Sequence, residues 1–281
     1  YPPIPGAGYR KSTVVIPEGS GIPRVMGDLI YSIPFNDEEL LERKVKENWQ
    51  NLAAIIVEPL LGNQASIMPK KGFLDQIRKL CDQYGIVFIL DEVKTGFRIA
   101  KGGAQEYFGV KADLVTYAKC LGNGFPVAAI GGKKAIMSEV GPGKVPHGGT
   151  YAGNAVAMAA ADAVLDIIDR GDLAKVDSHG KRLMAGWKTI LDKTGVPYVI
   201  QGPAAMPGIV FTNVKECTEY RHWAAGDHDT YELIIESLME KGVMPDKDSR
   251  EPWFICSAHT DADADFALNA LEDAVKEVIK K

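Results

Sequence analysis

"GFLDQIRKLCDQYGIVFILD", residues 72–91, decides the class of fold. Its first half sets Phe73, Leu74, Ile77, Leu80, Cys81 and Tyr84 at helical spacing, and Gly85 supplies the C-terminal stop. Its second half, Ile86 to Leu90, is a continuous apolar run closed by Asp91, the pattern of a strand buried on both faces of a parallel sheet. A similar run, "AAIIVE" from Ala53 to Glu58, precedes the helix. Strand, helix and strand in this order predict an α/β sheet, in which ligands gather beyond the carboxyl ends of the strands. Glu58 and Asp91 stand at those ends.

Working outward, "ADLVTYAK" (112–119) and "FPVAAIGG" (125–132) read as two further strands joined by a tight turn at "GNG", with Lys119 where strand becomes turn. The alanine-rich run Asn154 to Asp169 reads as a helix capped by Asn154 and stopped by Gly171. A second helix, Leu173 to Leu191, follows. Short strands are then expected in "VPYVIQG", "GIVFTN" and "WFICSA", with helices at Thr230 to Lys241 and Asp261 to Ile279, an α+β order. A boundary near His179 divides the chain into a large unit, residues 1–178, and a smaller C-terminal unit, residues 179–281. The charged, aromatic segment Glu216 to Asp229 reads as a surface loop.

Composition narrows the functional classes. Hydrophobic residues make up 46% of the 281 and charged ones 25%, as in ordinary globular proteins. A net charge of -5 and the lack of any long Lys/Arg run argue against a nucleic-acid partner. No apolar stretch approaches the length of a bilayer span, so no membrane partner is expected. Cys81, Cys120, Cys217 and Cys256 form no CxxC pair and no Asn heads a glycosylation sequon, which together suggest a reducing, cytoplasmic setting. The opening "YPPIPGAGYRK" lacks the features of a signal peptide and reads as the middle of a longer protein. A dinucleotide loop after Gly122 fails because Val127 takes the third glycine position. The scattered histidines and the Asp261, Asp263, Asp265 run match no metal-binding spacing.

Three groups that chemistry could use remain: Asp91 in "ILDEVKTGFR", Lys119 in "TYAKCLGNG" and Thr150 in "HGGTYAGN". Singly, each has an ordinary explanation, since a lysine just past a strand is usually a solvated group. Together they meet the demands of pyridoxal 5'-phosphate, which needs a lysine for its Schiff base, a carboxylate at its ring nitrogen and hydroxyl or backbone donors for its phosphate. Asp91 and Val93, two apart on an extended segment, would share a face, leaving Val93 to pack under the ring.

The chain resembles the class III, fold-type-I pyridoxal-phosphate aminotransferases, and among them the subgroup containing glutamate-1-semialdehyde 2,1-aminomutase. The resemblance runs over nearly the whole chain and is carried by "IIVEPLLGN", the helix and strand ending in "DEVKTGFR", "GGAQEYFGVKADLVTYAKCLGNGFPVAAIGG", "HGGTYAGNAVAMAA" and "SAHTDADAD". It implies a mostly parallel sheet flanked by helices in a cofactor-binding large domain, with a smaller C-terminal domain. It implies that Lys119 carries the cofactor, Asp91 pairs with its ring nitrogen, Val93 packs against the ring, and Thr150 reaches the phosphate held by a neighbouring subunit. A homodimer with shared active sites is therefore expected, acting on small amino and keto substrates. The activity implied is amino transfer, or the intramolecular transfer of the aminomutase.

The departures are also informative. Gly62 and Asn63 stand where many relatives acting on ω-amino groups read Gly-Glu, and Lys94 stands where relatives commonly carry Gln or Met. The family's phosphate loop and ring-stacking aromatic would precede Tyr1, which leaves a catalytically silent dimerisation or regulatory module as the reading from another class. Arg250 is a candidate for binding a substrate carboxylate.

Overall fold

The computed structural model describes residues 21–279, so the opening stretch "YPPIPGAGYRK" lies outside the described residues. The chain enters the sheet after helix α1 (Glu38–Asn48), whose Leu40, Leu41 and Val45 are buried and whose start Asp37 caps by accepting from Leu40 N–H. Strands β1 (Ala54–Val57), β2 (Val87–Asp91) and β3 (Leu114–Tyr117) lie side by side and parallel. Strand β4 (Ala129–Gly132) returns antiparallel beside β3. All four expected strands of this sheet are present, in sequence order.

Helix α2 (Phe73–Tyr84) bridges β1 and β2 as its periodicity requires, with Phe73, Leu74, Ile77, Leu80 and Cys81 buried, and Gly85 ends it at φ 68°. These side chains pack with Phe88, Leu90 and Val115 into one hydrophobic core. The other face of the sheet is only partly covered. Ile56 on β1 is 63% exposed, so the expectation that this strand is buried on both faces does not hold for the chain alone.

Beyond the sheet come the short helices α3 (Gly103–Phe108) and α4 (Lys134–Met137), then α5 (Ala155–Asp169) and α6 (Leu173–Leu191). Asn154 caps α5 by accepting from Val156 and Ala157 N–H, and Gly171 follows at φ 90°. A second core gathers around α6, with Trp187 edge-on to Trp253 at 4.8 Å. It is roofed by the antiparallel pair β5 (Tyr198–Gln201) and β6 (Gly208–Phe211) and by helices α8 (His228–Glu240) and α9 (Asp261–Val278). Thr260 and Asp263 form a capping box at the start of α9, which absorbs part of the acidic run there.

Two further expectations need correction. "WFICSA" is not a strand: Trp253 N–H donates to Pro207 O and Ile255 N–H to Ala205 O, but Pro207 has no N–H to return and the Ile255 carbonyl accepts instead from Arg98 Nη1 at 3.1 Å. The segment Glu216 to Asp229 is more than a surface loop. It contains helix α7 (Tyr220–Ala224), and Trp223 is buried with its indole donating to Ser249 O at 3.3 Å.

Gly180, inside α6, lies against the backbone of Ala204; a Cβ there would fall 1.8 Å from the Ala204 oxygen. Ordinarily Gly→Ala within a helix gains about 1 kcal/mol. Here Gly180→Ala is expected to lower stability by about 1–3 kcal/mol through forced separation of α6 from residue 204. A denaturant titration in which Gly180→Ala is more stable than the parent would overturn that reading of the contact.

Candidate active site

Parallel pairing puts the carboxyl ends of β1, β2 and β3 on one edge, and the charged groups of interest are found there. Asp91 is the last residue of β2 and is paired in register with Thr116 of β3. Its Oδ1 accepts from Thr116 Oγ1 at 3.1 Å and from Val93 N–H at 3.1 Å. The other carboxylate oxygen has no hydrogen bond among the described residues, so Asp91 is oriented with one acceptor left open.

Lys119 begins a 3-10 turn (Lys119–Leu121) directly after β3, with its backbone in the left-handed region at φ 44°. Non-glycine residues rarely adopt that conformation, and they persist in it where the surroundings enforce it. The enforcement comes from the neighbouring turn, residues 92–97, after β2. Phe97 and Tyr117 rings lie 5.2 Å apart, and Cys120 Sγ donates to Phe97 O at 3.5 Å. A Cβ on Gly96 would come within 2.5 Å of the Tyr117 ring, so only glycine lets the two turns approach this closely.

The Lys119 amine is held below the usual lysine range, first by partial burial and then by the charge of Lys94; Glu251, Glu58 and Asp91 oppose the shift. Glu58, beyond the end of β1, behaves in the opposite sense. Burial pushes its carboxyl up and Asp91 adds to this, while the Gly62 N–H that donates to its Oε2 at 3.0 Å, Lys94 and Lys119 work against it. Glu58 thus shares the electrostatic field of Lys119 and Asp91.

Lys94 and Asn63 are a single feature of the site. Buried Lys94 Nζ donates to Asn63 Oδ1 at 2.6 Å, to Gly62 O at 3.2 Å and to Glu251 Oε2 at 2.6 Å. A Cβ on Gly62 would lie 2.5 Å from Lys94 Cδ, so the glycine makes room for the lysine stem. The two departures noted in the sequence thus bond to each other. Glu251, the further partner of Lys94 in the C-terminal part of the chain, carried no sequence signal.

The remaining expectations fare differently. Val93 is half-buried but sits in a turn, since β2 ends at Asp91; the alternation argument that placed it on the face of Asp91 no longer applies. Thr150 lies on the exposed segment before α5, and among the described residues no hydrogen bond ties it to Asp91 or Lys119. The Arg250 guanidinium is engaged by Asp248, Nε at 2.8 Å and Nη2 at 2.6 Å from Oδ2.

Comparison with known proteins places this geometry in a family. The sequence profile described as "Aminotransferase class-III" matches residues 17–275. The chain belongs to the class-III aminotransferases. It is 37% identical to the glutamate-1-semialdehyde 2,1-aminomutase of Aquifex aeolicus over 274 residues, covering 97% of this chain and 64% of that protein. It is also 37% identical to the aminomutase of Methanosphaera stadtmanae over 266 residues, 94% of this chain and 63% of that one. This class-III chain therefore spans somewhat under two thirds of the length of these relatives. An omega-transaminase from Sphaerobacter thermophilus superposes with a TM-score of 0.87 at 27% identity, covering 94% of this chain and 61% of that one. The sheet and flanking helices are thus those of fold-type-I transaminases, with the mostly parallel order expected of them.

The raised Glu58 carboxyl makes a pH prediction. A group whose folded pKa exceeds its unfolded one binds its proton more tightly when folded, so stability is lost as pH rises through the interval between the two values. Glu58→Gln removes this penalty and keeps an acceptor for Gly62 N–H. The variant is expected to melt higher than the parent at pH 7, with the difference fading as pH falls through that interval and gone below about 4.3. A Glu58→Gln protein that melts lower at pH 7 would show that the negative charge is favourable where it stands.

Proposed function

We propose that this chain is the cofactor-holding portion of a pyridoxal 5'-phosphate-dependent aminotransferase, acting on an amino acid or amino-aldehyde and a keto acid. The observation that carries the reading is Asp91: one oxygen is fixed by Thr116 and Val93, the other is open, and a lysine of lowered basicity stands at the end of the adjacent strand. These residues fit the group. When bound, the cofactor supplies an electron sink for the carbon next to the reacting amine.

The chain's own residues have distinct tasks in this reading. The open oxygen of Asp91 holds a proton at the ring nitrogen, and Thr116 and Val93 keep that carboxylate from rotating away. The Lys119 amine would be the group that holds the cofactor through its carbonyl carbon and, when free, would accept and return a proton at the substrate carbon. Its lowered basicity leaves more of it unprotonated near neutrality, the form both tasks require. Val93 would pack against the ring, and the Thr150 hydroxyl would serve the phosphate held by a second copy of the chain.

Such sharing makes the protein a homodimer with composite sites. Supporting it, Thr150 lies on an exposed segment beside Tyr151 and Val156, which are 68% and 62% exposed. The domain division near His179 is retained as part of this proposal: the second core draws on residues from Val176 onward, and α6 runs unbroken through the boundary. A cytoplasmic location accords with four free cysteines and with the lack, among the described residues, of any helix long and apolar enough to cross a membrane.

A second reading, the aminomutase, draws support from the two relatives of that name. The two readings separate on one assay, because an aminomutase converts its amino-aldehyde with no keto acid present, whereas an aminotransferase stalls after one turnover.

Borohydride reduction in the presence of pyridoxal phosphate, followed by peptide mapping, tests the common core. One phosphopyridoxyl adduct is expected on Lys119, none on Lys119→Ala, and weaker cofactor retention in Asp91→Ala. A folded protein with no adduct on Lys119 would sink the enzymatic reading and favour the silent module.

A further inference from the structure

Among the described residues, Lys94 is a buried cation that the reaction outlined above does not use. Its ammonium cannot reach a substrate: it is 6% exposed, and Asn63 Oδ1, Gly62 O and Glu251 Oε2 surround it. A lysine so placed is costly unless its charge is matched, and Glu251 provides the match. Replacing both partners by apolar groups is often the more stable arrangement, so stability alone is a weak reason for the pair.

Position suggests another reason. Lys94 leaves the end of β2 three residues after Asp91, as Lys119 leaves the end of β3 three residues after Thr116, and Asp91 and Thr116 are paired. The two turns are locked together by the Phe97 and Tyr117 rings and by the Cys120 to Phe97 contact. Lys94 therefore cannot drift relative to Lys119. We propose that Lys94 is a positioning residue whose tethered ammonium, partly balanced by Glu251, sets how readily the Lys119 amine gives up its proton. Its effect on Lys119 is repulsive and that of Glu251 attractive. The other charged groups facing Lys119 are Glu58 beyond β1 and Asp91 on β2, both favouring its protonated form.

This inference deepens the reading of Lys119 as the cofactor amine, and it is tested without cofactor. The purified protein is dialysed against hydroxylamine and then buffer, pulsed with acetic anhydride at pH 6 to 11, digested, and the labelling of Lys119 followed by mass spectrometry. Lys94→Met removes the repelling charge, so Lys119 should label about three-fold more slowly near pH 8, its midpoint moving up by about half a unit. Glu251→Gln leaves Lys94 held by Asn63 and Gly62 with its charge unbalanced, so Lys119 should label about three-fold faster. Mere loosening of the site would move both variants the same way. Opposite shifts therefore support the proposal; shifts of the same sign, or parental midpoints in both, overturn it. Should Lys94→Met fail to fold, Glu251→Gln decides alone, faster labelling supporting the proposal and any other result overturning it. Failure of this test leaves the borohydride adduct on Lys119 intact as a separate result.

Discussion

The site depends on parallel pairing. Because β1, β2 and β3 run the same way, their last residues fall on one edge, and the pairing of Asp91 with Thr116 fixes how far along that edge each strand ends. A slip by one residue would turn Thr116 to the other face and take its hydroxyl from Asp91. The buried Phe88, Leu90 and Val115 oppose such a slip, since each would move from the core to the opposite face. Packing thus secures the electrostatics without contributing a charge.

Strain collects where the sheet ends. Ala65, Ser66, Phe97 and Lys119 all have positive φ, each at a cost of about 1 kcal/mol or more. The loop bearing the first two is tied down by other parts of the chain: Ala65 N–H donates to Arg250 O, Gln201 Nε2 donates to Ala65 O, and Ser66 Oγ donates to Met206 O. The C-terminal part of the molecule therefore holds the loop after β1 in place. The same is true of Lys94, whose counter-charge comes from residue 251.

How much of this was legible in the sequence depends on the range of each interaction. Local signals served well. The helical spacing from Phe73 to Tyr84, the stop at Gly85, the cap at Asn154 and the apolar runs of β1 to β4 each depend on a few adjacent residues, and each predicted its element to within a few positions. Asp91 and Lys119 could be placed at the edge of the sheet because motif and strand end coincide. "WFICSA" misled because its composition suits a strand while Pro207 in the segment it faces has no N–H to return. The alternation argument for Val93 misled because the end of β2 could not be placed to within two residues. The alliance of Lys94, Asn63 and Glu251 could not have been read, for no local pattern records which distant carboxylate meets a buried amine.

The 157 residues that separate Lys94 from Glu251 have a bearing on how the molecule forms. The core of β1 to β3 with α2 draws mostly on contacts close in sequence and can collapse early, but the loop between residues 94 and 251 closes late, at a greater entropic cost. Until it closes, the Lys94 ammonium must keep its water, because no anion is yet there to replace it. The charge arrangement around Lys119 accordingly requires both ends of that loop together, a residue of the sheet edge and one far along the chain.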